Sequence, residues 1–391
     1  MMTKISEVFE LQMGKTPSRK NLDYWIDGNT DWVSISDLGT YEKYVGKTKE
    51  KITQQAIDES GIKAVPKNTV LMSFKLSIGI SAITREEKTY TNEAIMAFID
   101  KGEKSLFPDY FYHQFRTKDW LENTSKAVMG STLNKSKLSN CIIKVPDLDE
   151  QKHVASVLDA VCRLILIKED LCKKLDELVK SRFVEMFGNA DSSSANFNIS
   201  TINEICSSIV RGPFGSALKK EFFIPRGVGT YKVYEQKHAI RKRADIGTYY
   251  ISKEKFDSLK RFECKPGDIL MSCSGTMGEL YQLPMNCEPG IINQALCKFT
   301  LNEKIHPEYF FRFMSQVVDD LGAKGSGIKN VSSVKYIKDI KIPLPPLSLQ
   351  QEFAAFVHQV DKLKFETQQS IEKLQTLYDS LAQEYFAPEG D

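Results

Sequence analysis

The chain has 391 residues, 41% hydrophobic and 27% charged, with 53 Lys+Arg against 51 Asp+Glu and a net charge of +2. Such a composition excludes a disordered or fibrous chain and is long enough for two ordinary cores. No apolar run approaches a membrane span and MMTKISEVFELQ lacks a signal-peptide core, so a cytoplasmic protein without membrane contact is expected.

In chain order, residues 1–147 read as a first mixed domain. Val33-Ser34-Ile35 and Ile78-Gly79-Ile80 alternate as strands do, and the periodic aromatics from Pro108 to Trp120 predict a short helix. Residues 148–187 predict a long helix, and Gly188 to Asn198, rich in Gly, Ser and Asn, a linker. Residues 199–345 form a second domain and 346–387 a second long helix. Both helices follow proline, which favours extended chain before a helix start.

The long helices carry the strongest periodicity. In the first, Val154, Val157, Val161, Leu164, Leu171, Leu175 and Leu178 alternate spacings of three and four, beside a second row of Leu158, Ile165, Cys172, Val179 and Met186. In the second, Phe353, Phe356, Val360, Leu363, Leu374, Leu377 and Leu381 keep the same beat, flanked by Val357, Ile371, Tyr378 and Tyr385. The seam is coiled-coil-like, and the extra row widens it beyond a two-helix interface. That width fits either a further partner or cover by the globular domains. Polar residues interrupt the seam at Lys168 and at Thr367 and Ser370, as register-fixing positions or as solvated ones. Helices of roughly 40 residues span roughly 60 Å, and antiparallel packing makes the first a spacer, or ruler, between domains.

The two halves repeat one another about 200 residues apart. Leu71-Met72-Ser73 recurs as Leu270-Met271-Ser272, Gly79 as Gly278, Asn92 and Ala94 near Asn293 and Ala295, and Pro108-Asp109-Tyr110-Phe111 as Pro307-Glu308-Tyr309-Phe310. Pro146 to Gln151 opens the first long helix and Pro346 to Gln351 the second. A period this long means two domains of one type. Because the copies have diverged, two different ligands held at a fixed spacing are expected.

Catalytic patterns are incomplete. Gly46-Lys47-Thr48 and Gly14-Lys15-Thr16 lack the earlier glycine of a phosphate loop, and Lys232 and Asn330 stand where a dinucleotide fingerprint needs its third glycine. No amino-methyltransferase motif occurs, and Pro146-Asp147 with Glu150-Gln151-Lys152 is too tight for a nuclease signature. The eight cysteines form no C-x-x-C pair and the five histidines are scattered, so neither metal nor cofactor is expected. A non-catalytic protein with reduced thiols follows.

What remains points to recognition. Lys232, Lys237, His238, Arg241, Lys242 and Arg243 crowd together with Tyr231, Tyr234 and Gln236 interleaved. Lys and Arg attract phosphate, whereas Gln and Arg read base edges bidentately; the other reading is an ordinary solvated face. Arg211-Gly212-Pro213-Phe214-Gly215-Ser216 is turn-rich, and its backbone can approach a phosphate. The first half offers Lys15 and Thr16, then Asn134 and Lys135 in a segment paralleling that of Lys329. Lys75 and Ser77 fall where Ser274 and Thr276 fall in the second copy.

Taken in this order, Gly212-Pro213-Phe214-Gly215-Ser216, Lys265-Pro266-Gly267-Asp268-Ile269-Leu270 with Gly275 and Gly278, Gly325-Ser326, and the Ile342-Pro343-Leu344-Pro345-Pro346-Leu347 run leading to Gln351 resemble the specificity (S) subunits of Type I restriction–modification systems. The first half carries looser versions, such as Pro66-Lys67-Asn68. The resemblance implies an α+β chain: two mixed α/β target-recognition domains separated by two long antiparallel helices in a pseudo-two-fold repeat. It implies that each domain reads half of a split site on double-stranded DNA. It further implies docking of two methyltransferase (M) subunits, which bind S-adenosylmethionine and methylate adenine, with restriction (R) subunits as further partners. Two other classes remain: a coiled-coil adaptor, and a stand-alone DNA-binding regulator.

Overall fold

Val70-Leu71-Met72-Ser73 and Ile269-Leu270-Met271-Ser272 are buried along their whole length. A strand apolar on both faces belongs at the centre of a covered sheet. In a computed structural model of the chain each is an inner strand of a four-stranded antiparallel sheet, in the order 9–13, 95–100, 70–73, 81–83 and again 206–211, 296–301, 269–272, 280–282. The registers match, Val70 opposite Phe98 and Ile269 opposite Phe299. A second sheet also recurs. Thr30–Val33 lies parallel to Tyr90–Thr91, as Tyr231–Tyr234 does to Gly290–Ile292. A two-stranded ribbon closes each copy, 2–4 with 142–144 and 198–201 with 341–344.

The structure describes residues 1–75, 77–120, 133–188, 197–274, 276–323 and 334–387, the side chains of 319–323 excepted. Most of the linker expected at 188–198 lies outside the described residues. The strand expected at Val33–Ile35 ends at Val33, because Ser34 caps a short helix, Ile35–Leu38, in a capping box with Asp37. Ile78-Gly79-Ile80 is a turn rather than a strand, with Gly79 at φ +91°, a region that favours glycine. The helix expected to Trp120 runs Pro108–Thr117.

The long helices are Leu148–Phe187 and Leu347–Phe386. The chain divides into two compact units, Met1–Asp170 with Thr367–Asp391, and Leu171–Glu366, so each unit takes part of both helices. In unit 2 the helical segments run antiparallel, with Lys364 on Asp176 at 2.6 Å and Arg182 on Glu352 at 3.4 Å. Phe183, Phe187 and Phe353 join Tyr309 in one aromatic cluster that fixes these segments to the domain. In unit 1, Val154, Leu158 and Val161 share a core with Tyr378 and Ala382.

The packed seam differs in part from the row of leucines. Val154, Val161, Leu175, Phe353 and Val360 are buried, together with Leu158, Val179, Val357, Ile371 and Tyr378 from the flanking rows, while Leu374 and Leu381 pack half-buried. Leu164, Leu171, Leu178, Leu363 and Leu377 instead face outward, Leu164 and Leu178 each 47% exposed. The flanking rows lie one residue beyond the outward leucines, and burial follows those rows together with the heptad of Phe353, Val360 and Thr367, which is itself buried.

Unit 1 also holds a polar network around the buried His113. His113 lies between the long-helix residues Asp159 and Tyr378, at 2.8 Å from Nε2 to the carboxylate and 2.9 Å from Nδ1 to the hydroxyl. Lys43 joins Asp159 at 2.6 Å and also pairs with Asp109. Burial holds the His113 ring below its ordinary pKa, although Asp159 pulls the other way. The unfolded chain therefore takes up the proton first, near pH 6.5, and folded-state stability falls as pH drops through that value. All three tryptophans (Trp25, Trp32 and Trp120) lie in unit 1, so their fluorescence follows this unit. Its urea midpoint should fall between pH 7.5 and pH 5.5, and the fall should be smaller in His113→Asn. Equal slopes in both proteins would remove His113 as the cause.

Candidate nucleic-acid interface

The turn after each buried central strand is closed in the same way. Ser73 Oγ donates to the Ser77 carbonyl, and Gly79 N–H donates back to the Ser73 carbonyl at 3.0 Å. Ser272 Oγ donates to the Thr276 carbonyl at 2.6 Å, and Gly278 N–H to the Ser272 carbonyl at 2.8 Å. Lys75 and Ser77, like Thr276, are consequently exposed, with Ser274 half-buried. Beside each turn stands an Asn turn. Asn92 Oδ1 accepts from Ala94 N–H at 2.8 Å, and Asn293 Oδ1 from Ala295 N–H at 3.0 Å.

A second pair of segments flanks these turns. Gly14 and Gly212 occupy matching places, donating to Ile95 and Leu296 carbonyls. Lys15 is exposed and Thr16 bonds Glu93. Phe214 is 65% exposed with the Arg211 guanidinium over its ring at 5.3 Å, and Ser216 is exposed on the short turn of helix that follows. Asn134 caps the helix Lys135–Asn140, accepting from Lys137 N–H at 2.9 Å, and Lys135 is exposed. Lys329 lies outside the described residues.

The basic cluster is reassigned in large part. Lys232 is only 1% exposed and pairs with Glu288 at 3.0 Å, so it cannot reach a phosphate. Burial works to raise the Glu288 carboxyl, and the Lys232 ammonium outweighs it, holding the group below its ordinary value. Tyr234 is fully buried and donates to the Glu288 carbonyl at 2.7 Å. Both sit in a strand covered on two faces, which a count of charges along the sequence does not reveal. The helix Gln236–Arg241 then starts on Glu235, boxed with His238, whose Nε2 lies 2.8 Å from the Ile246 carbonyl.

Three of the remaining side chains bond to the protein around the second turn. Gln236 Nε2 donates to the Ser274 carbonyl and, at 3.2 Å, to that of Thr276. Lys242 donates to Glu279 and to the Leu280 carbonyl. Arg211 Nη2 lies 3.4 Å from the Cys273 carbonyl. Arg243 is paired with Asp245 and Lys237 with Glu235. Arg241 is exposed and makes no ion pair among the described residues.

Sequence reasoning missed the buried Lys298–Asp268 pair at 3.1 Å and the His113 network. It noted the glutamines at the long-helix starts without their role. Gln151 Nε2 donates to the Ser105 and Pro146 carbonyls at 3.0 and 2.9 Å, while its Oε1 accepts from Phe107 N–H at 2.8 Å. Gln350 repeats this with Lys304, Pro345 and His306, so Pro345 and Gln350, rather than Pro346 and Gln351, match Pro146 and Gln151. Among the described residues no group of His, Cys, Asp or Glu could hold a metal ion, and no helix is long and apolar enough to cross a membrane.

The duplicated sheets and turns define a chain built on an internal structural repeat. The Type I restriction modification DNA specificity domain matches residues 1–177 and 195–376, and the chain belongs to that family. It is 33% identical over 190 residues to the MjaIX specificity subunit of Methanocaldococcus jannaschii, covering 48% of this chain and 42% of that one. It is 28% identical over 163 residues to the EcoR124I/EcoR124II specificity subunit of Escherichia coli, covering 40% and 39%. The matches thus span less than half the length of these two relatives. Among solved structures, a chain from work on complex assembly and conformational transition of the type I R-M system superposes with TM-score 0.68 at 15% identity, over 98% of this chain and 97% of that one. The S subunit from M. genitalium gives 0.50 at 15%, over 100% and 96%.

Proposed function

We propose that this chain is the DNA-reading subunit of a Type I restriction–modification complex, itself without catalysis. The observation that carries the reading is the twice-built turn: one backbone closure, Ser73 to Gly79 and Ser272 to Gly278, presenting different side chains in each copy. Residues 1–147 and 199–345 are the target-recognition domains, each reading one half of a split site on double-stranded DNA. Phosphate contacts fix position and base edges fix sequence. Arg241, Lys75 and Lys135 are exposed cations suited to the first task, and Thr276, Ser77 and Phe214 are exposed on neighbouring surfaces.

The outward leucines of the long helices, with Ile167 and Phe365, are the docking surface for two methyltransferase subunits. Exposed apolar surface of this kind marks an interface. Those partners bind S-adenosylmethionine and methylate adenine in each half-site, and restriction subunits add cleavage. Helix length sets the number of unread bases between half-sites.

Single-molecule methylome sequencing of cells expressing the chain with its methyltransferase subunits should reveal N6-methyladenine in a split motif, lost when the chain is deleted. Residues inserted at the linker-proximal end of the first long helix should lengthen the unread gap and leave both half-sites alone. Changed half-sites with an unchanged gap would sink the ruler. No motif from a purified, intact complex would favour an adaptor.

A further inference from the structure

The internal repeat gives unit 2 a built-in comparison. Val33 and Tyr234 are matching residues, since Asn92 N–H donates to the carbonyl of one and Asn293 N–H to that of the other, at 3.0 and 2.9 Å. It follows that Ile35 in unit 1 stands where Gln236 stands in unit 2, each the first residue of a short helix. By the same alignment Met13, before Gly14, stands where Arg211 stands before Gly212.

These pairs differ in one chemical respect. Ile35 and Met13 have no side-chain donor, whereas Gln236 and Arg211 both bond main-chain carbonyls of the turn that leaves Ser272. Lys242 adds a third tie, at 2.7 Å to Glu279. In unit 1 the matching turn is closed by the Ser73 hydroxyl and held at its exit by Ser81 Oγ, which donates to the Gly79 carbonyl at 3.0 Å; among the described residues no other side chain bonds the carbonyls of 74, 75, 77 or 78. Gln236 is the central tie in unit 2: it is half-buried and donates to two carbonyls, one on each side of the turn.

Resting on the function proposed above, we infer that Gln236 is a positioning residue for one half-site. It holds the Ser274 and Thr276 main chain in a single shape against DNA and does not itself read a base. A reading surface held rigid discriminates better, because a wrong base cannot be accommodated by movement of the turn. Without Gln236 the turn of unit 2 is held more as that of unit 1 is, and its discrimination falls.

The test uses the full chain expressed with its methyltransferase subunits, read by methylome sequencing. Gln236→Ala and Gln236→Glu, which remove the donor, should relax one half of the split motif only. Methylation at sites carrying a single wrong base in that half should rise roughly tenfold, the factor expected for the loss of one to two hydrogen bonds. Gln236→Lys keeps a side-chain donor at this position and should retain the parent motif. If all three variants lose the same specified base, the amide reads DNA directly and the inference is wrong. A uniform drop in methylation with an unchanged motif would reduce Gln236 to a structural residue and overturn it equally. Absence of any split motif with the parent chain is a separate result: it removes the DNA-reading function on which the inference rests.

Discussion

Replacing Gln151 by Ala is expected to destabilise unit 1 by about 3 kcal/mol or more, because three main-chain partners lose their bonds at once. The side chain is fully buried and serves the Ser105 and Pro146 carbonyls and the Phe107 N–H. An unsatisfied buried group costs roughly 1–3 kcal/mol, and the three do not add fully. These bonds join the start of the first long helix to the segment entering helix Pro108–Thr117, so the unfolding midpoint read by tryptophan fluorescence should drop. Gln151→Leu fills much of the same volume without polar atoms and should be about as harmful as Ala. A Leu variant as stable as the parent would show that packing, and not hydrogen bonding, is the role. Gln350→Ala should do the same to unit 2, seen as lost helical circular dichroism, since Gln350 repeats every bond.

An equally large effect is expected from Gly212→Ala. A Cβ at Gly212 would lie 1.9 Å from the Asn293 carbonyl oxygen and 2.9 Å from Gln294 nitrogen, both main-chain atoms with no flexible end to swing away. The Asn293 turn must then shift, although it receives a bond from Leu296 N–H at 3.1 Å and donates to the Tyr234 carbonyl at 2.9 Å. Overpacking in a closed site costs about 1–3 kcal/mol, and opposed backbones belong at the upper end or beyond. Gly14→Ala should behave alike in unit 1, its Cβ falling 2.2 Å from the Asn92 carbonyl oxygen. Gly227→Ala is the control, with no atom closer than 3.8 Å, and should stay within about 0.5 kcal/mol of the parent. Urea titration of the three variants decides the matter. Wild-type stability in Gly212→Ala would mean that the two turns separate freely.

The long helices were legible because a period near 3.5 persists for many turns and little else imitates it. Their phase was harder. Leucine is the more obvious seam residue, yet Leu164, Leu171 and Leu178 face outward while Leu158, Cys172 and Val179 lie one residue round the helix in the less exposed phase. The repeat was visible in residues whose work is backbone geometry, such as Ser73, Gly79 and Asn92, since few side chains can close those turns. Its exact alignment at the second helix was blurred by the doubled Pro345-Pro346 and Gln350-Gln351. Lys232 misled for a physical reason: a lysine stem buries well and its ammonium found Glu288 far along the chain. Charge counting along the sequence does not see such a partner. The turn-holding role of Gln236 was equally hidden, because the acceptors are carbonyls and carry no residue-type signature.

The twice-repeated turn closure bears on how such a chain changes over generations. Ser73 and Ser272 grip carbonyl oxygens, and Gly79 and Gly278 supply N–H groups, so the closure is made almost wholly with main-chain partners. Positions 75, 77 and 276 are exposed at the turn, and among the described residues their side chains make no hydrogen bond in it. Substitution at such solvent-facing positions usually stays within about 0.5 kcal/mol. The surface can therefore be rewritten one residue at a time while the domain beneath it remains folded. If each copy reads its own half-site as proposed, a preference acquired in one leaves the other untouched, and a few alternatives in each multiply into many combined addresses.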